Sequence, residues 1–328
     1  MMKKEKVKNN LEKKTAIDLF SGCGGMSYGL RRASFNVVAA LEINTVATAS
    51  YKLNHPKTKL KVTDIRKVDG REWMEELDLS PGELDLLAGC PPCQGFSTLR
   101  TRNGACVNKD RRNRLVIEMA RFVRTFMPKA IMMENVPGLA DKSVFKEFLR
   151  SIRKDGYIPT WSVLNVSQYG VPQRRRRLVM LAGHGFKIPF GSKSNKEKTV
   201  RMAIEKLKPA GLSGDPLHDM PEKRTAKMKE WISRVPKDGG SRGDLPIEIQ
   251  RPCHQRSDGF KDVYGRMAWD KVAPTITGGC CNPSKGRFLH PEENRNITMR
   301  EAALLQTFPK NFRLPSGTTK TDAALMIG

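Results

Sequence analysis

Residues 89–97 read Gly-Cys-Pro-Pro-Cys-Gln-Gly-Phe-Ser and carry the most reactive side chain of the sequence, Cys93. Two prolines hold their own dihedrals and push the preceding residue toward extended backbone, so the thiol is presented by a stiff turn. It follows the apolar run Leu84–Ala88, as a residue at the end of a buried strand would. A thiol attacks only as the thiolate, which nearby positive charge favours. The segment from about Gly95 to Arg112 supplies such charge in Arg100, Arg102, Lys109, Arg111 and Arg112, and its length and glycines suit a closing lid. Cys23, Cys106, Cys253, Cys280 and Cys281 read as structural cysteines.

Three further groups surround this candidate nucleophile. The run Thr15-Ala-Ile-Asp-Leu-Phe-Ser-Gly-Cys-Gly-Gly takes a strand into a glycine turn at Gly22, Gly24 and Gly25 and then into a helix. Such a turn lets a ligand approach the backbone, and the helix start offers unpaired N–H groups. Glu42 closes the next strand about 20 residues on, where nucleotide folds place an acid on ribose hydroxyls. Asp64 follows a third short extended run, placed to reach an adenine amino group. Glu134, after the apolar Ala130–Met133, is a carboxylate at a buried strand end, costly unless it has a partner or a task such as sharing a proton with a substrate nitrogen. In Gln173-Arg-Arg-Arg-Arg, Arg175 and Arg177 share one strand face and could grip a phosphate or a base carbonyl. Each feature also has a plain reading: a packing turn, a capping glutamate, a solvated charge run.

The elements that must position these groups are legible as alternating apolar runs and amphipathic stretches, the pattern of a doubly wound, mostly parallel α/β sheet. Strands are expected at Thr15–Phe20, Val37–Glu42, Leu84–Ala88, Ala130–Glu134, Trp161–Val166 and Arg177–Leu181. Helices are expected to start near Gly25, Asn44, Asn113 and Lys142, and Thr298 with Glu301 forms a capping box. From Gly185 to Asp262 the chain turns polar, basic and rich in Pro, Gly and Ser, a smaller irregular region in which Trp231, Ile232 and Val235 imply some core. Regular structure is expected to resume at Val263.

Composition narrows the partners. The 328 residues carry 59 Lys and Arg against 34 Asp and Glu, a net charge of +25 that calls for a polyanion, nucleic acid first. Six lysines precede Thr15 without an apolar stretch behind them, a basic arm rather than a secretory signal. No apolar run approaches the roughly 20 residues of a membrane span. Seven irregularly spaced cysteines make neither a disulfide scaffold nor, lacking a second C-x-x-C or a histidine pair, a zinc site.

Taken in order, these blocks resemble the DNA (cytosine-5) methyltransferases. The likeness covers 15–184 and 263–328 and rests on Asp18-Leu-Phe-Ser-Gly-Cys-Gly-Gly, Pro91-Pro-Cys-Gln-Gly-Phe-Ser, Glu134-Asn-Val, Gln173-Arg-Arg-Arg-Arg and Arg300-Glu-Ala-Ala-Leu-Leu-Gln-Thr-Phe-Pro. The resemblance implies a Rossmann-like methyltransferase fold, S-adenosylmethionine as methyl donor, duplex DNA as partner and no metal. It implies that Cys93 adds to C6 of a flipped-out cytosine, that Glu134 holds or protonates N3, that Arg177 contacts the base carbonyl, and that Arg175 supports Cys93 or the adduct. Phe20, Gly22, Gly24, Glu42, Ile43, Asp64, Pro92 and Leu115 match the family's cofactor contacts. Gln94 and Ser97 fall in the loop that closes on the base, and 185–262 takes the place of the target-recognition domain.

It also implies a prokaryotic restriction-modification setting and a cytoplasmic, nucleoid-associated protein. Family members continue past an Ile-Gly with Asn and Val-Pro-Pro. Ending at Ile327-Gly328, this sequence reads as truncated or completed by a second polypeptide. Two alternatives stay open at this point: transfer RNA as the acceptor, and a DNA-binding subunit without catalysis.

Overall fold

The computed structural model describes residues 13–92, 114–250 and 262–328. Cys93, Gln94 and Ser97, with the lid and the first twelve residues of the basic arm, lie outside the described residues.

Seven strands form one sheet: β1 (Thr15–Leu19), β2 (Asn36–Glu42), β3 (Lys59–Val62), β4 (Leu86–Gly89), β5 (Ala130–Asn135), β6 (Tyr157–Asn165) and β7 (Arg176–His184), in the order β3-β2-β1-β4-β5-β7-β6. The first five run parallel, and β7 enters antiparallel between β5 and β6. This is the mostly parallel, doubly wound sheet expected from the apolar runs. Its strand order reverses between β1 and β4. In open α/β sheets ligands bind beyond the strand carboxyl ends at such a reversal, and both the glycine turn and the Pro91-Pro92 turn leave the sheet there.

Helices α1 (Gly25–Arg32), α2 (Thr45–Asn54), α3 (Gly70–Glu76), α4 (Leu115–Phe126) and α5 (Ser143–Lys154) cover the sheet. The main core joins Ile17, Leu19, Leu41 and Leu87 to Trp73 of α3, Phe122 and Phe126 of α4, and Phe145 and Phe148 of α5. Trp73 meets Phe122 and Phe126 edge-on, with centroids 5.8 and 5.9 Å apart. Each such fully buried side chain contributes about 1.5–3 kcal/mol. On the other face Ala16, Val37 and Ala88 pack with Leu30 of α1. Both faces are thus covered, which is why β1 and β4 read as apolar runs rather than as alternation. Asn44 accepts from the N–H groups of Val46 and Ala47, fixing the start of α2 where the sequence placed it.

Helices α6 (Val200–Ile204), α7 (Ala226–Arg234), α8 (Met299–Leu305) and α9 (Lys320–Ile327) lie beyond the sheet. A second core joins Val200, Ile204 and Leu217 to Met267, Trp269, Ala302 and Ile327. A small separate core holds Ile232, Val235, Leu245 and Leu289, with Trp231 against it, as the apolar residues of that region implied. The capping box of α8 forms as expected.

The sequence expectations did not include α6, α7 or α9, and three further features differ from them. Helix α3 was not foreseen, because its seven residues bury only Gly70, Trp73 and Met74. Strand β6 starts at Tyr157, four residues early. It is an edge strand, where Pro159 is tolerated and the apolar pattern fades. No long element resumes at Val263: residues 263–298 are turns and isolated bridges with one short 3-10 helix, Pro283–Lys285. Here scattered backbone bonds and one buried arginine hold the chain. Arg266, 0% exposed, donates to the carbonyls of Ile232, Val235, His290 and Glu293 and to Asn294 Oδ1.

Candidate active site

The glycine turn is shaped by its neighbours. Phe20, Gly22 and Gly24 all have positive φ, at 59°, 53° and 96°. Gly24 is required twice over: its dihedral suits glycine, and a Cβ there would come within 2.3 Å of His55 Nε2. A Cβ on Gly22 would meet nothing within 4 Å, so the turn opens onto free space on that side. Glu42, half-buried at the end of β2, braces the turn. Its Oε2 accepts from Gly22 N–H at 2.8 Å, and its Oε1 accepts from the N–H groups of Ile43 and Asn44 at 2.9 and 2.8 Å. Ile43 beside it is 60% exposed, an apolar surface over the same opening.

Asp64 lies at the end of the third strand's loop and caps the short turn Ile65–Lys67. Hydrogen bonds from the Arg66 guanidinium hold its carboxyl below the usual range. Leu115 opens α4 and packs partly buried on the main core. Pro92 is half-buried at the exit of β4. The preceding Pro91 is held by Asn135, whose Nδ2 donates to its carbonyl at 2.9 Å.

Glu134 and Arg177 come together across the β5–β7 pair. Arg177 Nε lies 2.8 Å from Glu134 Oε1, with the two side chains 17% and 27% exposed. A carboxylate this shielded needs such a partner. Cys90 lies beside them: burial, then the charge of Glu134, pushes its thiol well above the usual range. It is inert as a nucleophile.

Arg175 does something else. Its Nη1 donates to Ile276 O at 2.7 Å, and both terminal nitrogens reach Gly328 O at 3.2 and 3.1 Å. Burial, then the charge of Arg177, lowers it to about 10. The two arginines predicted to share a strand face therefore divide between an acid and two backbone carbonyls. Gln173 ties in the same segment, accepting from Ile276 N–H and donating to Leu305 O.

Sequence reasoning missed the groups under the turn. Asp18, Ser27, Tyr51 and His55 form a buried polar cluster. The available signal was an aspartate inside an otherwise apolar strand. Asn135 was quoted only as part of a motif. Among the described residues no group of three or more His, Cys, Asp or Glu could hold a metal ion. Nor is any helix there long and apolar enough to cross a membrane.

The arrangement joins an open backbone cradle and a proline-stiffened turn leading into a cysteine, both at the strand-order reversal, with a half-buried acid–arginine pair across the neighbouring β5 and β7. A family model for C-5 cytosine-specific DNA methylases matches residues 14–328. The Type II methylase M.HgiDII of Herpetosiphon aurantiacus is 37% identical over 320 residues, covering 93% of this chain and 87% of the relative. The Type II methyltransferase M1.BsuMI of Bacillus subtilis is 33% identical, over 90% and 72%. Among solved structures, an E. coli prophage protein assigned as a DNA modification methyltransferase superposes with a TM-score of 0.68 at 25% identity, covering 96% of this chain and 94% of that one. The S. pombe Dnmt2 methyltransferase, at 21% identity and a TM-score of 0.61 over 97% and 93%, shares the fold.

Proposed function

The chain belongs to the C-5 cytosine-specific DNA methylase family, and we propose that it methylates cytosine at C5 in duplex DNA through a covalent adduct on Cys93, with S-adenosylmethionine as donor. The observation that carries the site assignment is the Glu134–Arg177 pair, 2.8 Å apart beside the turn that leads into Cys93.

The turn after β1 fits such a donor. Space is open over Gly22, Ile43 offers an apolar platform for an adenine, and Glu42 accepts three N–H bonds while a carboxylate offers about four lone-pair sites. When bound, S-adenosylmethionine supplies an electrophilic methyl group on a sulfonium. Phe20, Gly22, Gly24, Glu42, Ile43, Asp64, Pro92 and Leu115 would hold it.

Cys93 cannot reach C6 inside a stacked duplex, so the target base must leave the helix. Glu134 would then share a proton with N3 as the thiolate adds to C6, which makes C5 electron-rich. Arg177 would hold Glu134 in place and reach the base carbonyl. Arg175, bound to the carbonyls of Ile276 and Gly328, would support the site by fixing its wall. After methyl transfer a base removes the C5 proton and the thiolate leaves. Gln94 and Ser97 would close over the flipped base, and 185–262 would read the target across the DNA cleft.

The test supplies labelled S-adenosylmethionine with duplex DNA or transfer RNA, then maps C5-methylcytosine in the DNA. Label in DNA at a defined sequence supports the reading. Label confined to transfer RNA, or none in either, refutes it.

A further inference from the structure

The proposed chemistry makes no use of the buried polar cluster beneath the glycine turn. Asp18, on β1, is 0% exposed. Its Oδ2 accepts from Ser27 Oγ at 2.6 Å, and Ser27 Oγ lies 2.7 Å from the Tyr51 hydroxyl, which is left to donate to it. Asp18 Oδ1 has no partner among the described residues. Tyr51 packs on His55 with ring centroids 4.6 Å apart, and His55 Nε2 donates to Gly24 O at 3.0 Å. The contacts therefore start on the strand that feeds the turn, pass through α1 and α2, and come back to the turn itself.

Helix α1 needs such an acid. Its N-cap is Gly24, which offers no side-chain cap, and its first turn holds no acidic residue. A helix start without either leaves its N–H groups and positive dipole end uncompensated. Asp18 meets that need from below, through the side chain and backbone of Ser27.

We propose that Asp18 is a positioning residue of the cofactor turn: acting through Ser27 and Tyr51, it holds the Gly22–Gly25 backbone in the conformation that takes the methyl donor, and its negative charge favours the sulfonium donor over the uncharged thioether product. This rests on the reading that the turn binds S-adenosylmethionine.

The charge is conditional. Burial pushes Asp18 up to about 7 against the pull of Ser27, and Glu42 at the end of β2 adds repulsion. Other ionisable groups pack around it. Burial raises Tyr51 of α2 and raises Cys23, in the turn, to about 12. Cys90, after β4, is raised well above its usual range, and His55 is lowered to about 4. Arg31 of α1 faces Tyr51 and His55 and is bonded to Thr58. Ionisation of Asp18 strengthens its hold on Ser27, so donor affinity should rise with pH across neutrality.

The test measures equilibrium binding of S-adenosylmethionine and of S-adenosylhomocysteine from pH 6 to 8.5 for the wild type, Asp18→Asn, Ser27→Ala and Tyr51→Phe. The Asn variant carries only the ligands' own titration. Relative to it, wild-type affinity for the sulfonium donor should rise by about tenfold over that range, one pKa unit's worth of coupling, and less for the thioether. Ser27→Ala removes the donor to Asp18 and should move the transition to higher pH, with KM for the donor raised and kcat at saturation near that of the wild type. A folded Asp18→Asn that tracks the wild type at every pH overturns the proposal. Should that variant not fold, Ser27→Ala with an unmoved transition overturns it. A wild type that binds neither ligand removes the cofactor reading beneath it.

Discussion

Replacing Arg266 by Met isolates how the irregular part of the fold is held. The side chain is fully buried and donates five hydrogen bonds, to Ile232 O, Val235 O, His290 O, Glu293 O and Asn294 Oδ1, between 2.6 and 3.0 Å. Two of these acceptors have other donors: Ile232 O takes Val235 N–H, and Glu293 O takes Arg295 N–H. Val235 O and His290 O would lose their donor in a buried setting, at about 1–3 kcal/mol each. Methionine fills much of the volume, and the arginine's desolvation penalty disappears with its charge. The net loss should be about 3 kcal/mol, at the lower end of the roughly 3–5 kcal/mol of a broken buried ion pair.

That loss falls on the small core of Ile232, Val235, Leu245 and Leu289, because the acceptors of the Arg266 side chain lie in 232–235 and 290–294. Hydrogen exchange reads it locally. Amides of 228–245 should exchange about 150-fold faster, the equivalent of about 3 kcal/mol in opening free energy. Amides of β1 and β4 should be unchanged, and donor binding should stay within about twofold. Sequence-specific DNA binding should weaken, since 185–262 is proposed to read the target. Exchange in 228–245 within threefold of the wild type, roughly 0.6 kcal/mol, would refute the reasoning.

Four further outcomes follow from the site. Cys93→Ala should abolish methyl transfer while S-adenosylhomocysteine binding, measured by calorimetry, stays near wild type. Glu134→Gln should lower kcat by about 10²–10⁴, the span of a lost proton-transfer group, with little change in donor KM; a kcat within fivefold in single-turnover assays would count against its role. Gly24→Ala forces a Cβ to within 2.3 Å of His55 at a positive φ, so donor binding should be lost and the melting temperature should fall. His55 is lowered to about 4 from 6.5, so it stabilises the fold above pH 6.5 and that contribution fades as pH falls toward 4. Asp18, raised to about 7 from 3.8, works the other way, its contribution fading as pH rises through 7. Thermal melts from pH 4.5 to 7 should therefore slope upward with pH in Asp18→Asn and downward in His55→Gln, with the wild type flatter than either.

Much of the site was legible because its pieces are local. A glycine turn between a strand and a helix, two prolines before a cysteine, and an acid ending an apolar run each declare their backbone geometry within a dozen residues. The fold class followed from the apolar runs for the same reason: a strand buried on both faces needs them wherever it occurs. Residues 263–298 were expected to be regular, but their backbone is paired through scattered turns and through arginine side chains from distant segments, which no periodicity reports.

The sequence by itself determined which chemistry the chain carries and the order of the elements that present it, since turn geometry, helix caps and side-chain period are short-range properties. Only the tertiary structure decided what each polar group does once desolvated. Arg175 and Arg177 sit two residues apart, yet one meets Glu134 and the other meets carbonyls 101 and 153 residues away. Cys90, three residues before Cys93, lies beside the acid. Asp18, one more residue in a motif, is pushed up to about 7 by burial beneath the packed helices, against the pull of Ser27 on α1. The physical reason is the same in each case. Hydrogen-bond partners and burial set the energy of a charge, and both come from segments that meet only when the chain has folded.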